Sequence, residues 1–145
     1  MKINFKKLFP NAICPTYGTE FSAGADLYAL LDEEVTLKSG ETFLVHTGIA
    51  MEIPEGYVGL VFARSGLATK KGLAPANKVG VIDADYRGEI MVPLFNHSTE
   101  DRVLSSGERI AQMAIVPFLK AEYTEVEELS DTVRGLGGFG STGTK

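Results

Sequence analysis

Apolar residues cluster along this chain in short runs rich in β-branched and aromatic side chains. They cover 25–31 (ADLYALL), 34–38 (EVTLK), 42–48 (TFLVHTG), 57–63 (YVGLVFA), 79–83 (VGVID), 89–97 (EIMVPLFNH) and 109–119 (RIAQMAIVPFL). Each run has the length of a strand. Between them stand turn signals, Lys38-Ser39-Gly40, Pro54-Glu55-Gly56, Tyr86-Arg87-Gly88 and Ser105-Ser106-Gly107, at the short spacing that marks a sandwich or barrel. No strand–helix alternation is visible, which disfavours a doubly wound sheet. The one helical candidate is 67–71, a single turn with Ser65 as its cap that needs tertiary support. Pro93 and Pro117 interrupt two of the runs and point to edges, bulges or strands that change sheets.

From Arg134 the texture changes. The last twelve residues read RGLGGFGSTGTK, with Gly at 135, 137, 138, 140 and 143. Such a segment loses much entropy on ordering and does not fix its own backbone. It reads either as a loose tail or as an arm that orders over a ligand, with backbone NH groups on an anion, Arg134 pairing with it and Phe139 stacking on a planar ring. Residues 135–140 satisfy G-x-G-x-x-G, but no strand–helix context follows, so the dinucleotide fingerprint is false. Residues 138–145 imitate a Walker loop but carry Thr144 where Lys is required.

The chain has 145 residues, 44% hydrophobic and 23% charged, which fits one globular domain and neither disorder nor a membrane protein. Lys plus Arg number 14 against 19 Asp plus Glu, a net charge of -5. Long-range attraction to nucleic acid or an anionic membrane is therefore not expected, and a polyanionic ligand would need a local basic pocket. The N-terminus MKINFKKLF lacks signal-peptide character, so an intracellular location is the expectation. With Cys14, His46 and His97 as the only Cys and His, an internal disulfide is impossible and a structural zinc site is disfavoured. No G-x-S-x-G elbow occurs, which argues against a serine nucleophile.

Four segments combine Gly with chemistry-bearing side chains near strand ends. Asp26 in Ala23-Gly24-Ala25-Asp26-Leu27 is a bridge former or a site carboxylate. Arg64, Ser65 and Gly66 end a strand either as a plain turn or with a guanidinium, a hydroxyl and a residue that lets the backbone approach a phosphate. Residues 77–89 (NKVGVIDADYRGE) read as a β-hairpin with Asp83, Asp85 and Tyr86 near its tip. Asp83 follows an apolar run, so partial desolvation would keep it basic enough to activate a water, or Asp83 and Asp85 simply satisfy turn NH groups. Gln112, on the face of Ile110, needs a partner or a ligand for its amide.

Taken in order and spacing, AGADLYA (23–29), ARSGLA (63–68), GVIDADYRG (80–88), GERIAQ (107–112) and RGLGGFGSTG (134–143) resemble the five motifs of the homotrimeric dUTP pyrophosphatases (dUTPases). The resemblance covers nearly the whole chain. It implies a single all-β domain over 1–145, a jelly-roll-like β-barrel core over 1–133 with a flexible Gly-rich arm over 134–145 that closes on the site. It also implies a homotrimer whose active sites are shared among chains, and hydrolysis of dUTP to dUMP and pyrophosphate, which limits uracil incorporation into DNA and supplies dUMP.

By the same resemblance, Asp83 orients and deprotonates the water that attacks the α-phosphorus. Asn77 reads uracil, and Tyr86 packs under the deoxyribose where a 2'-hydroxyl would clash. Arg64, Ser65, Gly66, Gln112 and Arg134 contact phosphates, Phe139 stacks on uracil, and Gly140 and Ser141 belong to the substrate-binding arm. Asp26 holds Mg²⁺ through coordinated water, in keeping with that ion's reluctance to dehydrate. A dCTP deaminase, alone or combined with pyrophosphatase activity, shares the fold and part of the motif set. A nucleotide-sensing binding protein is the alternative from another class.

Overall fold

The computed structural model describes residues 1–138. Twelve strands form among them: β1 Asn4–Lys7, β2 Thr16–Tyr17, β3 Ala25–Tyr28, β4 Val35–Leu37, β5 Thr42–His46, β6 Ile49–Glu52, β7 Tyr57–Phe62, β8 Leu73–Pro75, β9 Gly80–Ile82, β10 Met91–Asn96, β11 Arg102–Leu104 and β12 Arg109–Pro117. They pair into antiparallel sheets ordered β1-β6, β5-β10-β8, β11-β4 and β2-β3-β12-β7-β9. The all-β class therefore holds, but among the described residues no sheet closes on itself into a barrel.

Side-chain alternation explains the central strands. In β10 every second residue, Val92, Leu94 and Asn96, is fully buried, as a two-residue period demands when one face meets the core. Asn96 is tolerated there because its Nδ2 donates to the carbonyls of Leu37 (3.0 Å) and Glu100 (2.8 Å) while its Oδ1 accepts from Ser98 N and Oγ. A single core gathers Leu27, Val45, Ile49, Leu73, Ile110 and their neighbours from all four sheets. Fully burying each of these aliphatic side chains contributes on the order of 1.5–3 kcal/mol.

Several expectations are corrected. Pro93 lies in the middle strand of its sheet rather than at an edge. It is accommodated because the β8 pairing begins only at Leu94, and its carbonyl accepts from Ala76 N (2.7 Å) just past the β8 ladder. The hairpin expected over 77–89 does not form, because β9 pairs with β7 while β10 is flanked by β5 and β8. The short helix over 67–71 does form, as a π-helical turn, but Gly66 occupies its cap with no side-chain bond, and Thr69 Oγ1 donates to the Ser65 carbonyl instead. A left-handed Gly72 (φ 66°) ends it. The acidic stretch 122–131 is exposed and contains no strand.

Candidate active site

The long strand β12 organises the first half of the site. Its Gln112 lies opposite Asp26 of β3 on one side and Phe62 of β7 on the other. Asp26 and Gln112 are thereby neighbours, and Arg64 leaves the end of β7 beside them. Asp26 is buried, and each of its oxygens meets a guanidinium: Oδ1 accepts from Arg64 Nε at 2.7 Å and Oδ2 from Arg109 Nη1 at 3.2 Å. A buried carboxylate is stable only when paired and hydrogen-bonded in this way.

Gln112 finds the partner its position requires, donating from Nε2 to the Ala63 carbonyl at 2.9 Å. Its carboxamide occupies the space a Cβ would take on Gly24, 2.6 Å from where that atom would stand. Around these groups opens a cavity of about 360 Å³ bordered also by exposed Ser65 and Gly66. An adjoining depression shares Arg64, Gly66 and Arg109 and adds Lys70 and Lys71. On a chain of net charge -5, this is the local basic pocket that a polyanion requires.

Asp83 stands elsewhere, in a cleft of about 610 Å³ with Asp85, Ala84, Glu55, Phe118 and Lys120. It is exposed, so the partial desolvation expected from its apolar predecessors is absent in the single chain: β9 is only half-buried and ends at Ile82. Tyr86 follows in the same turn, its amide donating to the Asp83 carbonyl and its hydroxyl to the Glu89 carbonyl at 2.9 Å. The phenol lies across Gly88, leaving no room for a Cβ there. Asn77 is exposed at the bend before β9, next to Lys78 in the left-handed region (φ 65°).

The two clefts share no lining residue. One chain thus brings together Asp26, Arg64, Ser65, Gly66 and Gln112, but does not join them to Asp83, Asn77 or Tyr86. Among the described residues Arg134 is engaged only locally, donating from Nε to the Gly137 carbonyl at 2.8 Å. Phe139, Gly140 and Ser141 lie outside the described residues.

Two groups escaped the sequence reading. Arg109 belongs to GERIAQ, but its bond to Asp26 depends on a register shift between Arg109 and Ala111 that puts consecutive residues Ile110 and Ala111 into the core. Glu89 receives His46 Nδ1 (2.8 Å) and the amides of Thr47 (3.1 Å) and Gly48 (2.7 Å). Burial pushes its carboxyl upward, but the His46 bond and the two amides outweigh burial and hold it below its ordinary value.

As a metal site, the first pocket offers one carboxylate, already engaged by two guanidinia. Among the described residues no group of three or more His, Cys, Asp or Glu is placed to hold an ion. That donor set fits an ion held through water and by its ligand, not an all-protein cage.

The family model described as dUTPase matches residues 10–143. This chain belongs to the dUTPase family. It is 52% identical to the deoxyuridine 5'-triphosphate nucleotidohydrolase of Hydrogenobaculum sp. (strain Y04AAS1), over the full length of both chains. Its structure resembles that of a Staphylococcus bacteriophage 80alpha dUTPase variant with dUpNHpp (TM-score 0.86, 32% identity, 98% of each chain). It also resembles a dUTPase variant from phage phi11 of S. aureus, described with a structural Mg(II) ion (TM-score 0.81, 27% identity, 90% of this chain and 100% of that one).

Proposed function

We propose that the protein is a dUTP diphosphatase, hydrolysing dUTP to dUMP and pyrophosphate. The observation that carries this is the Asp26–Arg64–Gln112 pocket, built for a phosphate chain, in a protein matching a dUTP nucleotidohydrolase from end to end. The substrate reading is supported by dUpNHpp in the related phage enzyme.

In this mechanism Arg64, the Ser65 hydroxyl, the Gly66 backbone and the Gln112 amide hold the phosphates. Arg64 suits this because only its Nε is bonded to Asp26, leaving its terminal nitrogens without a protein partner among the described residues. Asp83 accepts a proton from water as the water oxygen bonds to the α-phosphorus, and the bond to the bridging oxygen breaks, releasing pyrophosphate. Asp26 would hold Mg²⁺ through water, and when bound the ion would supply charge neutralisation on the triphosphate. Asn77 reads the uracil edge and Tyr86 lies under the deoxyribose. Arg134 reaches the phosphates, and Phe139 stacks on the base with Gly140 and Ser141 beside it, as the arm 134–145 closes over the core 1–133.

The site is completed in a homotrimer of jelly-roll-like subunits. This is supported by the separation of the Asp83 cleft from the phosphate pocket within one chain. It is supported also by apolar side chains left exposed, among them Phe21 (91%), Leu119 (97%) and Tyr123 (95%), which call for a covering surface. The net charge of -5 fits a small-molecule substrate rather than nucleic acid or membrane, and a nucleotide substrate fits a cytoplasmic location. No helix among the described residues is long and apolar enough to cross a membrane.

The test is pyrophosphate release from dUTP with Mg²⁺, beside dCTP, dTTP and UTP, with ammonia followed in the dCTP reaction. Rapid release from dUTP alone is the expected result. Ammonia from dCTP would move the assignment to a deaminase, and no reaction with any nucleotide would refute the enzyme.

A further inference from the structure

We propose that Glu89 is a positioning residue for sugar selection, fixing Tyr86 against the corner between β5 and β6. The inference rests on the reading of Tyr86 as the residue under the deoxyribose.

The turn from Asp83 to Gly88 is bonded mostly to itself. Tyr86 N donates to Asp83 O, and Arg87 Nη1 donates to the carbonyls of Ala84 and Tyr86. Those bonds give the turn its shape without saying where it sits on the body. The tie to the body comes at Glu89, whose carbonyl accepts the Tyr86 hydroxyl while its carboxylate is held by a different part of the fold.

That holding is specific. Successive amides of Thr47 and Gly48 converge on Oε1, and His46 Nδ1 donates to Oε2. Convergent neighbouring amides form an anion-binding concavity, here occupied by a side chain of the same protein. The corner itself is rigid: Gly48 is left-handed (φ 69°) and packs so closely that a Cβ would stand 2.6 Å from Leu30 Cδ2 and 2.7 Å from Ala12 Cβ. Next to it Thr47 Oγ1 donates to Ile90 O, and Ile90 N donates to Ile49 O. Tyr86 is thus placed by a chain of contacts running from a fixed corner through the Glu89 carboxylate to the Glu89 carbonyl. Gly88, with no Cβ, lets the phenol reach that carbonyl. A gate that rejects one hydroxyl by contact depends on such fixation, because a loosely held ring moves aside.

The experiment measures kcat/KM for dUTP and for UTP, with melting temperature, in Glu89→Ala, Glu89→Asp, Glu89→Gln and Tyr86→Ala. Aspartate keeps the charge but is one methylene too short to span the corner. Glutamine keeps the reach, accepting from both amides with its oxygen. Glu89→Ala and Glu89→Asp are expected to lower the dUTP:UTP preference about tenfold or more, while Glu89→Gln stays within about threefold of the wild type. If Glu89→Ala does not fold, the Asp and Gln variants carry the comparison. Preference lost in Tyr86→Ala but intact in Glu89→Ala and Glu89→Asp, whatever their melting temperatures, would overturn the positioning role and leave Tyr86 as the sugar gate. Preference intact in Tyr86→Ala would instead overturn the reading of Tyr86, and the positioning role with it.

Discussion

Gly24→Ala isolates the role of Gln112 without touching it. The new Cβ would stand 2.6 Å from Gln112 Oε1, 3.1 Å from its Cδ and 3.2 Å from its Cβ, so the carboxamide must leave its place. The stability cost is small. Losing the bond to the Ala63 carbonyl removes about 1 kcal/mol, and Ala63 is only half-buried, so water replaces the donor. Against that, Gly→Ala at an unstrained backbone returns about 0.4–1 kcal/mol through the unfolded state. The variant should therefore fold like the parent.

The catalytic cost is larger. If the Gln112 amide bonds a phosphate, displacing it forfeits a hydrogen bond to a charged group, about 1.5–3 kcal/mol. That corresponds to a fall of roughly 10- to 150-fold in kcat/KM. The assay is initial-rate pyrophosphate release in Gly24→Ala, Gln112→Ala and the double variant. In the Gln112→Ala background the Gly24 substitution should add less than about twofold, because the group it displaces is already gone. Wild-type kcat/KM in Gly24→Ala would refute the phosphate contact. Fully additive losses would refute the reasoning differently, by showing that the Gly24 backbone acts independently of Gln112.

Asp83→Asn is expected to lower kcat by about 10² or more with little change in KM for dUTP, since a general base contributes about 10²–10⁴; wild-type turnover would remove Asp83 from that role. Removing residues 134–145 should abolish most turnover while the trimer persists, measured by rate and by light scattering, and unimpaired turnover would free the arm of its assignment. The Glu89 carboxyl is held below its ordinary value of 4.5, so the folded state binds this proton less readily than the unfolded chain. Its stabilisation is complete above that ordinary value and is lost as pH falls through the lowered one. The melting-temperature gap between wild type and Glu89→Gln should accordingly be steady from neutral pH to about 5 and shrink below it, while a gap that widens on acidification would contradict the assigned direction.

What the sequence made legible follows physical lines. All seven apolar runs became strands, because burying one face imposes a two-residue period that residues such as Val92 and Leu94 display openly. Five strands went unseen: β1 (NFKK) and β2 (TY) lack that cause, being exposed along their whole length and existing through backbone pairing with β6 and β3, while β6, β8 and β11 bury residues but are segments of three or four residues outside the longer apolar runs. Within the site, Arg64, Asp26 and Gln112 stood out by type and place. Their mutual geometry did not, since it is set by cross-strand register, and in β12 a bulge shifts that register at the point where Arg109 joins Asp26. The expected desolvation of Asp83 failed in the opposite sense in the single chain. An apolar predecessor implies burial only if the strand is covered, and β9 is a three-residue edge strand paired on one side.

A carboxylate at the heart of the proposed phosphate pocket looks misplaced until the charges are compared. Asp26 offsets one of the two guanidinia it holds, and Glu108 offsets one of Lys70 and Lys71. The empty pocket therefore carries a modest positive excess, where a pocket of unpaired cations would repel itself and destabilise the fold. Asp26 also fixes Arg64 through Nε, so the guanidinium is oriented before any ligand arrives and less entropy is lost on binding. A triphosphate brings more negative charge than this excess neutralises. On the proposed mechanism the remainder arrives with the substrate as its metal ion and afterwards with Arg134 of the arm. Under that proposal full neutralisation coincides with closure of the arm, and a nucleotide that fails to draw the arm in would stay underbound at the phosphorus where charge develops.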